Sequence, residues 1–284
     1  METNLSNLQQ RLIVSLVGIP LAISAVLFSQ DLYLSVIFAF VISFLAAFAL
    51  KEMFTIQTVK GFNPNTRISI VFSMIYLIAH IYFKDALLPE LILIIYAFLV
   101  FLVYLQKEKD PILNLSGTYF AFLYVTLPLS YLVSIANINE PSVDGRIWLF
   151  YLLIVVKATD TAAFFFGKSF GKHRLAPVIS PKKTWEGALF GFLASIIVSL
   201  IFSFIPFVYP EARFNLSILE SLFLGASISV LAQLGDLFES LLKRDAHVKD
   251  SSSLPGVGGV LDIIDSLVFA APLLYIWIKR GALL

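Results

Sequence analysis

Six ionisable residues sit inside otherwise apolar runs, and they come in pairs: Lys157 with Asp160, Asp236 with Glu239, and Asp262 with Asp265. Each pair is spaced i,i+3, which puts both members on one face of a helix. A charge in hydrocarbon is costly, so such groups mark a functional site by default. Asp160 falls near the end of its run, Asp236 and Glu239 in the last two turns of theirs, and Asp262 and Asp265 in the first two turns after a glycine-rich stretch. Since successive spans alternate in direction, these positions predict one shared depth beneath one membrane face. Lone interfacial charges such as Glu90 and Glu220 can snorkel to water, but three pairs at one depth fit that bland explanation poorly. Five crowded carboxylates repel one another and need cations. Lys157 offers one, and hard divalent ions with oxygen ligands would offer the rest. With no Cys and no paired His, the set favours magnesium, with manganese as a substitute, over zinc.

Two loops would cover this site. Residues 167–187 carry five Lys and Arg together with Ser180 and Thr184, in the string Ser180-Pro-Lys182-Lys183-Thr184-Trp-Glu186-Gly187. Ser180-Pro181 followed by Glu186 predicts a helix entrance, and a helix N-terminus binds phosphate. Residues 243–259 carry Lys243, Arg244 and Lys249 before Gly256, Gly258 and Gly259, whose backbone N–H groups could approach a phosphate. This is not a Walker-type loop. His173 and His247 read as surface residues and His80 as packed or interfacial. Cations and amides for phosphate, over carboxylates for a divalent metal, describe phosphoryl or nucleotidyl transfer to a lipid head group.

The elements that must hold these groups are membrane spans. The 284 residues are 59% hydrophobic and 14% charged, with a mean hydropathy of +0.90. Too much apolar surface is present for a soluble domain, and disorder is excluded on the same grounds. A net charge of +1 excludes a broad nucleic-acid footprint. Runs of about 20 apolar residues predict nine spans, at 12–28, 32–50, 68–83, 86–105, 112–138, 147–166, 187–209, 216–242 and 260–278. The first is too long for a secretory signal and is expected to be retained. The predicted fold is therefore an all-α polytopic membrane protein, a bundle of about nine transmembrane helices with its polar site at the cytoplasmic face. Residues 1–146 would form about five spans and 147–284 the catalytic region. Loops on the N-terminal side hold 14 of the 20 Lys and Arg and the other side five, so the N-terminus and the site should be cytoplasmic.

The residues from Asp160 to Gly187, Gly235-Asp236-Leu-Phe-Glu239-Ser-Leu-Leu-Lys243-Arg244, Lys249-Asp250, Leu254-Pro255-Gly256 and Gly258-Gly259-Val-Leu261-Asp262 with Asp265-Ser266 resemble the phosphatidate cytidylyltransferase family. The likeness is specific over 147–280 and only hydropathic before that. It implies transfer of CMP from CTP to phosphatidate, giving CDP-diacylglycerol and pyrophosphate, in a bacterial inner membrane. By this resemblance Asp236, Asp262 and Asp265 would hold magnesium, and Asp160 and Glu239 would complete or orient its shell. Lys182, Lys183, Lys243, Arg244 and Lys249, with Gly256, Gly258 and Gly259, would hold phosphates; Ser180 and Thr184 would donate hydrogen bonds. Lys157 would add positive charge. CTP, phosphatidate and membrane lipid are the implied partners, nucleic acid is not, and a homodimer is left open. Two positions depart from the pattern: Val257 stands where the family usually has His, and Ile263 where it has Arg. A CTP-dependent kinase of a membrane lipid alcohol uses similar parts, and a cation transporter would also bury carboxylates.

The charge asymmetry makes a topological prediction. In the natively Cys-free chain, a cysteine placed at Lys172 should label from the cytoplasmic side and one at Leu283 from the opposite side. Cytoplasmic labelling of both would rule out the nine-span topology.

Overall fold

A computed structural model describes residues 20–31, 33–83, 87–105, 110–248 and 259–281. Among these, seven helical stretches are long and apolar enough to cross a membrane, namely Ser35–Val59, Leu87–Leu105, Pro111–Ala136, Gly145–Phe170, Trp185–Val208, Ile218–Asp245 and Val260–Arg280. Thr66–Tyr82 is a shorter apolar helix, and residues 20–27 are helical where the first expected span, 12–28, enters the described region. The chain is thus an all-α polytopic membrane protein. The helices are α1 (Ser35–Val59), α2 (Thr66–Tyr82), α3 (Leu87–Leu105), α4 (Pro111–Ala136), α5 (Gly145–Phe170), α6 (Trp185–Phe202), α7 (Ile205–Val208), α8 (Ile218–Asp245), α9 (Val260–Ile264) and α10 (Ala270–Gly281). Two short antiparallel hairpins interrupt them, β1–β2 (Asn139–Glu140 with Val143–Asp144) and β3–β4 (Arg174–Ala176 with Ser180–Thr184). Contacts divide the chain into two compact units, one running to Val133 and including Asp245–Ile263, the other Ser134–Arg244 with the residues from Ile264 onward.

In the first unit α1 packs on α2 and α2 on α3. Tyr76, Tyr96, Tyr104 and Phe122 form its aromatic core, with Tyr96 stacked on Phe122 at 4.0 Å between ring centroids. Two of its buried tyrosine hydroxyls find partners inside the protein, as lipid cannot supply them. Tyr96 pairs with Ser69 at 2.9 Å and Tyr104 with Thr118 at 3.0 Å. The expected second span ended at residue 50, before Lys51, but α1 continues to Val59. A charge does not stop a helix; a left-handed glycine does. Gly61 has φ of 85°, and the N–H groups of Gly61 and Phe62 return to the carbonyls of Thr58 and Gln57, closing a Schellman turn.

In the second unit α5 lies against α6. Gly187, Gly191, Ser195 and Ser199 form the buried i,i+4 stripe of α6. Small residues let helix backbones approach closely where no hydrophobic force drives association. A Cβ on Gly191 would stand 2.8 Å from the Thr159 carbonyl of α5. Ser195 donates to the Gly225 carbonyl at 2.6 Å and Ser199 to that of Ser221 at 2.7 Å, tying α6 to α8. Asp144 caps α5, accepting from the Arg146 N–H at 3.0 Å. Its carboxylate also meets Arg146 Nη2 at 2.6 Å and Arg213 Nη2 at 3.3 Å, while Lys279 reaches Glu140 at 3.1 Å. Burial pushes the Asp144 carboxyl up, but the two guanidinium groups outweigh it and hold it below the ordinary range. The last expected span, 260–278, is not one helix. A 3₁₀ turn, Asp265–Leu267, separates α9 from α10.

The α5–α6 contact can be tested directly. Gly191→Val should lower the melting temperature of the detergent-solubilised protein, consistent with an overpacking cost of about 1–3 kcal/mol. Ile197→Val, on the exposed face of the same helix, should leave it almost unchanged.

Candidate active site

The second unit brings together charged residues from four separate stretches of chain. On α5, Lys157 Nζ lies 3.3 Å from Asp160 Oδ2. On the β3–β4 hairpin, strand alternation separates two adjacent lysines: Lys182 is exposed, whereas Lys183 turns inward and meets Asp236 Oδ2 of α8 at 2.6 Å. On the 3₁₀ turn, Asp265 is buried; its carboxylate accepts from the Ser266 N–H, with Ser266 Oγ 2.9 Å away. The same hydroxyl lies 3.4 Å from Asp160 Oδ1. Asp160, Asp236 and Asp265 interact electrostatically, with Lys157 and Lys183 among the charges acting on Asp160. Gly235 makes this closeness possible, because a Cβ there would run into the Asp265 carbonyl. One turn along α8 from Asp236, Glu239 and Lys243 form a buried i,i+4 pair at 2.7 Å.

Other predicted site residues make different contacts from those expected. Ser180-Pro181 is not a helix entrance: Ser180 pairs with Ala176 in the hairpin, and α6 begins only at Trp185. Thr184 is the cap, its hydroxyl accepting from the Gly187 N–H at 3.1 Å. Glu186 reaches back to the Lys172 N–H at 3.1 Å and to His173 Nδ1 at 2.6 Å, bracing the base of the hairpin. Arg244 donates from Nε to the Ile179 carbonyl at 3.2 Å, and Lys243 is committed to Glu239. Asp262 belongs to the first unit, where it accepts from the Gly259 N–H at 3.2 Å. Lys249, Gly256 and Gly258 lie outside the described residues. The sequence reading missed Ser266 as a site group, although a hydroxyl next to Asp265 was a usable signal.

The donor chemistry suits a hard divalent ion. Among the described residues no three Asp, Glu, His or Cys converge into a closed metal cage. Magnesium does not need one, since it is usually held by one or two carboxylates with phosphate oxygens and water completing the shell. Lysine ammonium groups stand beside Asp160 and Asp236.

The chain is similar to known proteins. Residues 9–280 match the cytidylyltransferase family. Phosphatidate cytidylyltransferase of Chlamydia muridarum is 39% identical over 201 residues, covering 66% of this chain and 65% of that protein. The Chlamydia trachomatis protein of that name is also 39% identical, over 59% of this chain and 56% of its own length. The chain thus spans less than two thirds of the length of these chlamydial relatives. The Bacillus subtilis protein of the same name is 33% identical over 84% of this chain and 87% of its own length.

The inward lysine can be tested by substitution. Lys183→Met leaves Asp236 beside Asp160 and Asp265 without its counter-charge and should lower the melting temperature. In Lys183→Met with Asp236→Asn the two penalties should not add, the coupling being roughly 0.5–3 kcal/mol. Strictly additive shifts in a thermal double-mutant cycle would show that the pair is not formed in the folded protein.

Proposed function

The chain belongs to the cytidylyltransferase family, and from that we propose that it is a phosphatidate cytidylyltransferase, using CTP and phosphatidate to make CDP-diacylglycerol and pyrophosphate. Beyond family membership, the observation that carries this reading is the Lys183–Asp236 ion pair joining the hairpin to α8, beside Ser266, whose hydroxyl lies 2.9 Å from Asp265 and 3.4 Å from Asp160. The arrangement suits a substrate that is itself a polyanion. A phosphate oxygen of phosphatidate attacks the α-phosphorus of CTP, and the bond to the bridging oxygen breaks as pyrophosphate leaves with the electron pair. A phosphate monoester is largely dianionic near neutral pH, so the nucleophile needs no general base.

One or two of Asp160, Asp236 and Asp265 would hold magnesium, which supplies charge neutralisation to the triphosphate, and the rest would orient its shell. Lys183 would exchange Asp236 for a phosphate oxygen, keeping one positive charge at the reacting phosphorus. Exposed Lys182 and Arg244 would draw the triphosphate toward the hairpin. Lys243 would not contact phosphate; it balances Glu239 within α8. The excess of Lys and Arg supports a cytoplasmic face for residues 167–186 and 243–259, where CTP is available, and the apolar helices together with bacterial relatives support an inner-membrane location.

The test is an assay of purified protein with phosphatidate, magnesium and CTP labelled either in the cytosine or at the γ-phosphate. Cytosine label should enter lipid and γ label should leave as pyrophosphate; γ label in lipid would instead indicate a lipid kinase. EDTA should abolish turnover and manganese should restore it. Asp236→Asn, Asp265→Asn and Lys183→Ala should each lower kcat by about 100-fold or more, as for other groups that stabilise transition-state charge. Lys182→Ala should cost no more than about tenfold, acting chiefly on KM.

A further inference from the structure

We propose that Glu52, on α1, is a positioning residue for the acidic segment that begins at Val260; its catalytic consequence rests on the function proposed above. Glu52 is 1% exposed, and its Oε2 accepts the Leu261 N–H at 2.8 Å within the first unit. That bond answers a specific need. The first N–H groups of a helix have no partner in the helix itself, and a side chain just before it normally supplies one. Here the residues preceding α9 are Gly258 and Gly259, which have no side chain to offer.

The helix start is therefore capped from two other places. Asp262 reaches back to the Gly259 N–H at 3.2 Å, and Glu52 reaches the Leu261 N–H from 209 residues away in sequence. With both amides engaged, this helix start does not present them to a phosphate. Its job is to fix the rotation and height of the backbone from which Asp262 projects and from which, without a break in the chain, the turn bearing Asp265 and Ser266 follows. The Glu52 carboxylate thus couples α1 to the backbone at the start of α9 through the Leu261 N–H. A bare glycine run before α9 leaves that stretch free of side-chain bulk, at the cost of needing its cap from another helix.

Glu52→Leu removes the acceptor, whereas Glu52→Gln keeps a carbonyl oxygen at nearly the same reach. Hydrogen exchange in the full-length, detergent-solubilised protein should show the Leu261 amide protected in the parent and in Glu52→Gln, and exchanging at least about tenfold faster in Glu52→Leu. Steady-state kinetics with CTP and phosphatidate should show kcat reduced about 10- to 100-fold in Glu52→Leu, the range for a buried N–H left without a partner. KM for CTP should stay within threefold, and Glu52→Gln should recover most of the loss. If Glu52→Leu does not accumulate, Glu52→Ser, too short to reach Leu261, serves the same comparison. Equal damage from Gln and Leu, or an effect confined to KM, would overturn the proposal, because charge or substrate contact would then be the role. A parent protein inactive toward CTP and phosphatidate would sink the functional reading instead, and the Leu261 exchange rates would still decide whether Glu52 caps α9.

Discussion

A carboxylate held beneath a membrane face costs several kcal/mol unless a cation or strong donor sits beside it, and the second unit is arranged around that requirement. Asp160 has Lys157 at 3.3 Å, Asp236 has Lys183 at 2.6 Å, and Glu239 has Lys243 at 2.7 Å. Two of these pairs lie within a single helix, at i,i+3 and i,i+4. The third joins α8 to the β3–β4 hairpin, so neutralising Asp236 is also what draws the hairpin onto the helix. Asp265 is served instead by Ser266, whose N–H it accepts and whose hydroxyl also nears Asp160.

Such closeness requires backbones stripped of bulk. Gly191 and its i,i+4 companions let α6 settle on α5, and Gly235 lets α8 meet the Asp265 carbonyl. The second approach is the more consequential. It falls where the last span abandons α-helical geometry, at Asp265–Leu267, and the change of helix type is accommodated by the neighbouring glycine. At the other end of this unit, a compact set of ion pairs around Asp144, Arg146 and Arg213 anchors the start of α5.

The pairs legible in the sequence were those that obey helical spacing. Lys157–Asp160 follows from position alone, as does the presence of helices at the nine apolar runs, because hydropathy and period report on a single element. What escaped the sequence depended on two elements meeting. The difference between Lys182 and Lys183 is a matter of strand register, set by pairing with residues 174–176, and no local pattern announces a hairpin within a basic loop. Asp262 and Asp265 are spaced as one helical pair, but the α-helix gives way to a 3₁₀ turn at Asp265, which spacing alone does not announce. Glu52 lies two residues past the end expected for the second span. Only the tertiary contact with Leu261 shows that the helix continues and the carboxylate is buried.

The order in which these charges emerge during synthesis gives the i,i+3 and i,i+4 pairs a second meaning. Chains are made and inserted from the N-terminus, at roughly 5–20 residues per second, so α5 reaches the bilayer long before Asp265 exists. Lys157 travels with Asp160 on the same turn, and Lys243 with Glu239, so each segment carries its own counter-charge into the membrane and does not wait for a distant partner. Lys183 precedes Asp236 in the chain and is already in place when that carboxylate arrives. Asp265 comes last, into surroundings already assembled. The acidic site can thus be built one span at a time, with few unescorted charges left for the insertion machinery to handle.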